Sequence, residues 1–238
     1  MNLLKSSSAL KADAREVLLG KYKVVVFAYV LMELIVTGIL TLIEFQVNLQ
    51  TTIGLLLYYA VYLIVILLST VIVVGQNQLY LNIYRGQAYE ANQIWSGFHT
   101  CADRAILAYL MIFGKSLLFA IPCITALAVM FATKNYYFSL LAGAGAVFML
   151  IGTTFVQLDY SQVFYIILDK PELSPRELLA ESKALMKGHR GSYFYLLVSF
   201  IGIYLLSVLT FGIGMLWIYP YVTATKTGYY LELKKKEP

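Results

Sequence analysis

Apolar residues in this chain fall in long unbroken runs, neither the alternation of a strand nor the narrow stripe of a surface helix. Crossing the ~30 Å hydrocarbon core of a bilayer takes about 20 helical residues at 1.5 Å each. Runs of that length cover residues 24–43, 53–74 (continuing as helix toward 84), 104–131 and 136–168. The stretch 193–233 is too long for one crossing, and Gly212 and Gly214 stand in a Thr210-Phe211-Gly212-Ile213-Gly214 segment near its middle. Glycines there permit a tight reversal, which divides the stretch into 193–210 and 213–230, the latter kinked at Pro220. The pattern predicts an all-α polytopic transmembrane helical bundle of six spans, a single integral membrane domain over residues 1–238.

Composition agrees and charge orients the bundle. Of the 238 residues, 60% are apolar and 13% charged, against about 25% charged in soluble domains. A soluble enzyme, a disordered chain and a secreted disulfide scaffold are excluded as classes. Of eighteen Lys and Arg residues, sixteen lie in the terminal segments and alternate connections, with Lys134 opposite and Lys115 within a span. That asymmetry places both termini inside. A five-span chain would carry Lys234-Lys235-Lys236 outside. The first run lacks an A-x-A cleavage site and is expected to remain as a span. Cys101 and Cys123 are expected to be buried, reduced thiols.

The inner connections read as helices. Ser174-Pro175-Arg176-Glu177 forms a capping box with proline at the first helical position, and Gly188 is the stop. The helix between is amphipathic, suited to the membrane surface. Residues 9–19 have the same character, and 90–103 a weaker version. Three units of surface helix plus two-span hairpin follow, 1–84, 85–170 and 171–238, as a three-fold internal repeat. The alternative is that amphipathic helices beside any span look alike.

Ionisable groups within spans are the candidate chemistry. Counted by helical rise, Glu33 and Lys115 sit about 13–16 Å from the inner ends of their spans, which matches them as an intramembrane pair. Asp159 reaches a similar depth if its helix is straight, with Gln157, Tyr160, Ser161 and Gln162 around it. One reading is a proton or ion relay or polar substrate site; the other is a charged pair that fixes helix register. Tyrosines near span ends form an interfacial belt, whereas Tyr58, Tyr59 and Tyr62 lie deeper, with Glu33 or Asp159 as partners for their hydroxyls. Small residues of the fourth span, among them Gly145 and Gly152, suit close helix packing. Phe113-Gly114-Lys115-Ser116 lacks the upstream glycine of a phosphate loop, and His99 and His189 have no ligand cluster beside them.

Asp169-Lys170-Pro171-Glu172-Leu173-Ser174 and Ser182-Lys183-Ala184-Leu185-Met186-Lys187-Gly188-His189, with Leu209-Thr210-Phe211-Gly212-Ile213-Gly214 and Trp217-Ile218-Tyr219-Pro220-Tyr221, carry a resemblance to a known family. The chain resembles a bacterial integral membrane family catalogued as domain of unknown function 975. The likeness is specific over residues 159–230 and looser over 84–124, where Cys123 stands at a position usually glycine and the segment from Pro122 to Tyr160 is longer. The resemblance implies a multi-pass protein of the bacterial plasma membrane and brings no catalytic residues, cofactor or metal.

The absence of a nucleophile–base set favours a non-enzymatic role, binding a partner or modulating the envelope. The runner-up is a small transporter or channel using Glu33, Lys115 and Asp159; an intramembrane enzyme ranks third. Expected partners are the anionic lipids of the inner leaflet and either a membrane protein or a second copy, not nucleic acid.

Overall fold

The computed structural model describes residues 4–236, all helical or connecting. In chain order the helices are α1 (Ser7–Leu18), α2 (Tyr22–Gln46) and α3 (Thr52–Arg85), then a 3₁₀ turn (Ala91–Trp95) and α4 (Ser96–Thr100). There follow α5 (Ala102–Thr133), α6 (Phe138–Asp159), α7 (Val163–Asp169), α8 (Pro175–Leu185), α9 (Arg190–Val198), α10 (Ile201–Leu209) and α11 (Met215–Lys234).

Among the described residues, five helices are long and apolar enough to cross a membrane: α2, α3, α5, the α6–α7 stretch and the α9–α10 stretch. The expected sixth, α11, has the length but is more polar, with Thr223, Thr225, Lys226 and Thr227 in its second half. Side chains that would be hidden in a soluble protein are bare. Phe45 is 85% exposed, Leu140 80% and Leu209 75%, amid a continuous apolar surface on α2, α3, α5, α6 and α10. Apolar area of this extent, on helices of membrane-crossing length, is what a bilayer would cover.

Packing is concentrated at one end, here called the base. On α3, residues 52–69 bury little beyond Gly54 and Val65, whereas Thr70–Ile83 is largely buried. On α5 the buried residues Ala105, Ala108 and Ile112 lie toward its start, and on α6 Val156 and Leu158 lie at its end; Cys123, Ala142, Gly145 and Gly152, buried farther out, belong to the contact of these two helices with each other. These ends meet α7, α8 and α11 in the main core, around Val74, Leu81, Ile166, Leu178 and Tyr230. Toward the far end the spans run as separate apolar hairpins. The α5–α6 hairpin is the most extensively packed pair, and a Cβ on Gly145 would lie 2.8 Å from the Cys123 Cα. Cys101 and Cys123 are free, buried thiols.

The three expected surface segments are helical, and each seats its apolar face on the bundle. Leu10, Ala14 and Leu18 of α1 are buried, and α1 packs mainly on α11. The 3₁₀ turn and α4 lie against α3, where Gly75 permits the approach: a Cβ there would meet the Ile94 carbonyl oxygen at 2.1 Å. In α8 the Ser174–Glu177 capping box is formed and Pro175 takes the first turn. The Ser174 hydroxyl, and then its N–H donating at 2.8 Å, hold the Glu177 carboxyl below the usual carboxylate range. Its buried face, Leu178, Leu179 and Ser182, covers α7 and α5.

Two spans are broken. The fourth is interrupted at Tyr160-Ser161-Gln162 and the fifth at Ser199-Phe200. This corrects the expected depth of Asp159. It is the last residue of a 22-residue α6, about 31 Å along from Phe138, so it lies at the base and not mid-span. The reversal between α10 and α11 is as expected, with Gly212 at φ +85°.

A surface helix closes each break. The Val163 N–H bonds to the Tyr160 carbonyl (3.3 Å), which frees the Asp159 carbonyl from its helical partner. The Ser182 hydroxyl of α8 donates to that carbonyl (2.8 Å) and accepts from the Gln162 N–H (3.3 Å). At the second break, Lys11 of α1 donates to the Ser199 carbonyl (2.9 Å), with its ammonium 4.2 Å from the centre of the Phe200 ring. Backbone groups freed inside a membrane protein need such substitutes.

Candidate functional site

Four of the five membrane-length segments, together with α11, converge at the base around a half-open cavity of about 330 Å³. Gln76 and Asn77 come from α3, Tyr109 from α5 and Gln157 from α6. Tyr160 and Ser161 come from the break, Tyr165 from α7, Tyr193 from α9, and Tyr219, Thr223 and Lys226 from α11. The break matters because it turns the chain from the line of α6 into α7, which brings Tyr160, Ser161 and Tyr165 to one wall.

Most polar groups of the wall are tied down. Tyr219 stacks on Tyr29 of α2, ring centres 4.3 Å apart, and its hydroxyl donates to the Gln76 Oε1 (2.7 Å). The Asn77 amide donates to the Phe164 carbonyl (3.4 Å). The Tyr165 hydroxyl shares a hydrogen bond with Thr227 (3.2 Å), whose own hydroxyl reaches the Thr223 carbonyl (2.9 Å). Gln162, fully buried behind the cavity, donates to the Ser161 hydroxyl (2.8 Å).

Lys226 is different. Its ammonium makes no hydrogen bond or ion pair with any described residue, and no carboxylate is among the lining residues. The wall therefore offers one positive charge amid hydroxyls, phenols and amides.

Below the cavity a second cluster holds the base together. Asp169, at the end of α7 with its side chain 6% exposed, accepts from Arg85 of α3 (2.8 Å), Tyr230 of α11 (2.7 Å) and Lys234 of α11 (2.5 Å). One carboxylate thus ties the base ends of three helices.

Of the residues singled out in the sequence, Gln157, Tyr160 and Ser161 line the cavity and Gln162 backs it, whereas Glu33, Lys115 and Asp159 do not line it. The expected Glu33–Lys115 pair is not among the ion pairs of the described residues. Lys115 lies over the Tyr160 ring, 5.8 Å from its centre. Glu33 is exposed on α2, one turn beyond Tyr29. Asp159 pairs with Arg190, the first residue of α9. Depth counted along separate helices matched Glu33 with Lys115, but depth does not say which faces meet. Tyr58 contacts Tyr59 and Tyr62, ring centres 5.6 and 6.3 Å apart, and none of the three has a hydrogen bond to Glu33 or Asp159.

Sequence reasoning passed over Lys226, counted with the terminal basic cluster, and over Gln76 and Asn77. A signal was present: Gln76, Asn77, Gln78 and Asn82 interrupt the apolar run of α3. The Asp169 cluster was also missed, since its members are 84 and 65 residues apart in sequence.

No curated protein and no solved structure matches the chain. A family model described as a protein of unknown function, DUF975, matches residues 1–237. The chain, carrying this cavity and clamp in a bundle of membrane-length helices, belongs to that family.

Proposed function

We propose that this protein acts by binding and not by catalysis, and that the base cavity takes a small anion-bearing ligand recognised by Lys226. The carrying observation is the unpaired ammonium of Lys226 in a wall of neutral polar groups. Lys226 is half-buried; an ammonium partly withdrawn from water is costly unless a counter-charge meets it, and a negatively charged ligand supplies one. The outermost lining residues are Val73, Ile112, Gln157, Leu197 and Tyr219; beyond them the spans continue mainly as apolar helix. That favours a pocket entered from the base over a path through the protein.

The same reading makes α11 the sixth crossing, with both chain ends on the basic side of a plasma membrane. Leu10 of α1 shares a core with Tyr229 and Leu233 of α11, so the two ends lie together, as an even number of crossings requires. The basic base then faces anionic lipid, where each Lys or Arg contributes about 1 kcal/mol. A second reading, solute transport, draws support from the broken fourth span in the cavity wall, since discontinuous helices flank the sites of many transporters.

The test is thermal unfolding of the purified protein in neutral detergent, with inorganic phosphate, acetate and glycerol as probes. Saturation at 100 times Kd would stabilise by about 2.7 kcal/mol. Phosphate or acetate should stabilise the wild type, glycerol should not, and Lys226→Gln should lose the response. Equal responses in Lys226→Gln, or none to either anion in the wild type, would refute the site. Uptake of the stabilising anion into reconstituted vesicles would select transport.

A further inference from the structure

A second concavity lies away from the cavity, between α6 and α9 on the lipid-exposed surface. It encloses about 440 Å³ and is walled by Leu150, Ile151, Phe155 and Phe194, with Gly191 and Arg190 at its base end. From Leu158 to Leu150 the wall runs about 12 Å along α6. Leu150, Ile151, Phe155 and Phe194 are all exposed. Gly191 leaves the groove open, because nothing lies within 4 Å of where its Cβ would stand.

Arg190 gives this groove a polarity that a bare apolar wall lacks. Its Nε side faces Asp159 in an ion pair that joins the ends of α6 and α9. A guanidinium carries five donors in a planar fork suited to bidentate phosphate recognition. The terminal nitrogens of Arg190 donate to no other described residue. The groove thus has a cationic donor set at the base end and a hydrocarbon-lined channel leading away toward the membrane interior. Those are the two halves of an amphiphile in the order a membrane presents them.

We propose that this groove is a binding site for one phospholipid, an acyl chain lying along α6 against Phe155 and Phe194 and the phosphodiester meeting the Arg190 guanidinium. The charge of Arg190 is already balanced by Asp159. The site therefore selects the phosphodiester for its acceptor oxygens and does not depend on a net negative headgroup. It is independent of Lys226, so failure of one site leaves the other standing.

The experiment is native mass spectrometry of the whole protein, delipidated and then incubated with phosphatidylglycerol or with diacylglycerol of the same chains. One phosphatidylglycerol should be retained per chain, at least tenfold more than diacylglycerol. Gly191→Leu adds bulk to the groove lining at a position where a Cβ meets nothing within 4 Å, and should reduce retention at least tenfold. The double variant Arg190→Gln/Asp159→Asn removes the fork without stranding its partner carboxylate and should abolish the preference over diacylglycerol. Equal retention of the two lipids by the wild type would overturn the proposal, as would undiminished retention in a folded Gly191→Leu protein. The wild-type comparison decides the matter even if a variant fails to fold.

Discussion

Asp169 gathers three donors from two other helices, so its removal should loosen the base more than any other single polar change. In Asp169→Asn the geometry is kept and the charge is lost: Arg85 and Lys234 then face a neutral amide that offers one acceptor oxygen in place of two. Hydrogen bonds to a charged group are worth about 1.5–3 kcal/mol each, and breaking a buried ion pair costs about 3–5 kcal/mol. Both figures need discounting, because the Arg85 and Lys234 side chains are 34% and 39% exposed and exposed partners are screened. With the carboxylate itself 6% exposed, the expected loss is about 2–4 kcal/mol. Cys101 and Cys123 are free and buried, so a thiol-reactive fluorophore can follow unfolding in mild detergent. Tyr230→Phe removes a single hydroxyl and should cost about 1 kcal/mol. The reasoning fails if Asp169→Asn unfolds within about 0.5 kcal/mol of wild type, or if Tyr230→Phe is the more damaging change.

Ser182→Ala should cost about 1–3 kcal/mol in the same assay, since it strands the Asp159 carbonyl and the Gln162 N–H at the break. A loss no larger than that of an exposed serine, such as Ser8, would show that water replaces the hydroxyl. Glu33→Gln and Lys115→Met should be additive within about 0.3–0.5 kcal/mol, because the two side chains have different neighbours. Mutual rescue in the double variant would restore the intramembrane pair and contradict the arrangement described above.

The helices were legible because their signals are local. Apolar run length, the Ser174–Glu177 cap, the glycine at 212 and the basic residues clustered near helix ends each depend on neighbours in sequence. The bundle placed its predicted surface helices correctly in the chain but seated them on the core, since burying Leu178 or Leu10 against protein satisfies the same amphipathic pattern as burying it against lipid. The site was half legible. Gln157, Tyr160 and Gln162 drew notice as polar residues in an apolar run. Lys226 did not, because a lysine eight residues before a lysine cluster reads as part of that cluster unless the helix is known to be one of the cavity walls. The break after Asp159 has no glycine or proline to announce it: Tyr160, Ser161 and Gln162 would all continue a helix. What stabilises the break is Ser182, twenty residues beyond Gln162.

That dependence couples the surface layer to the cavity. The peptide groups of the break are satisfied by α8, and two residues of the break, Tyr160 and Ser161, form part of the cavity wall. Lifting α8 would strip hydrogen bonds from both the Asp159 carbonyl and the Gln162 N–H, each uncompensated at the edge of hydrocarbon. The fourth span would then have to rejoin as continuous helix or admit water, and either outcome moves Tyr160. Lys170 and Glu181 add an ion pair between the end of α7 and α8, and the capping box fixes the start of α8, so the helix is held at both its polar and its apolar faces. The same logic applies on the other side through Lys11, whose hold on the Ser199 carbonyl joins α1 to the fifth span. The surface helices are therefore parts of the spans they repair. A ligand that fills the cavity meets Tyr160 and Ser161, and a contact that displaces α8 acts on the same break.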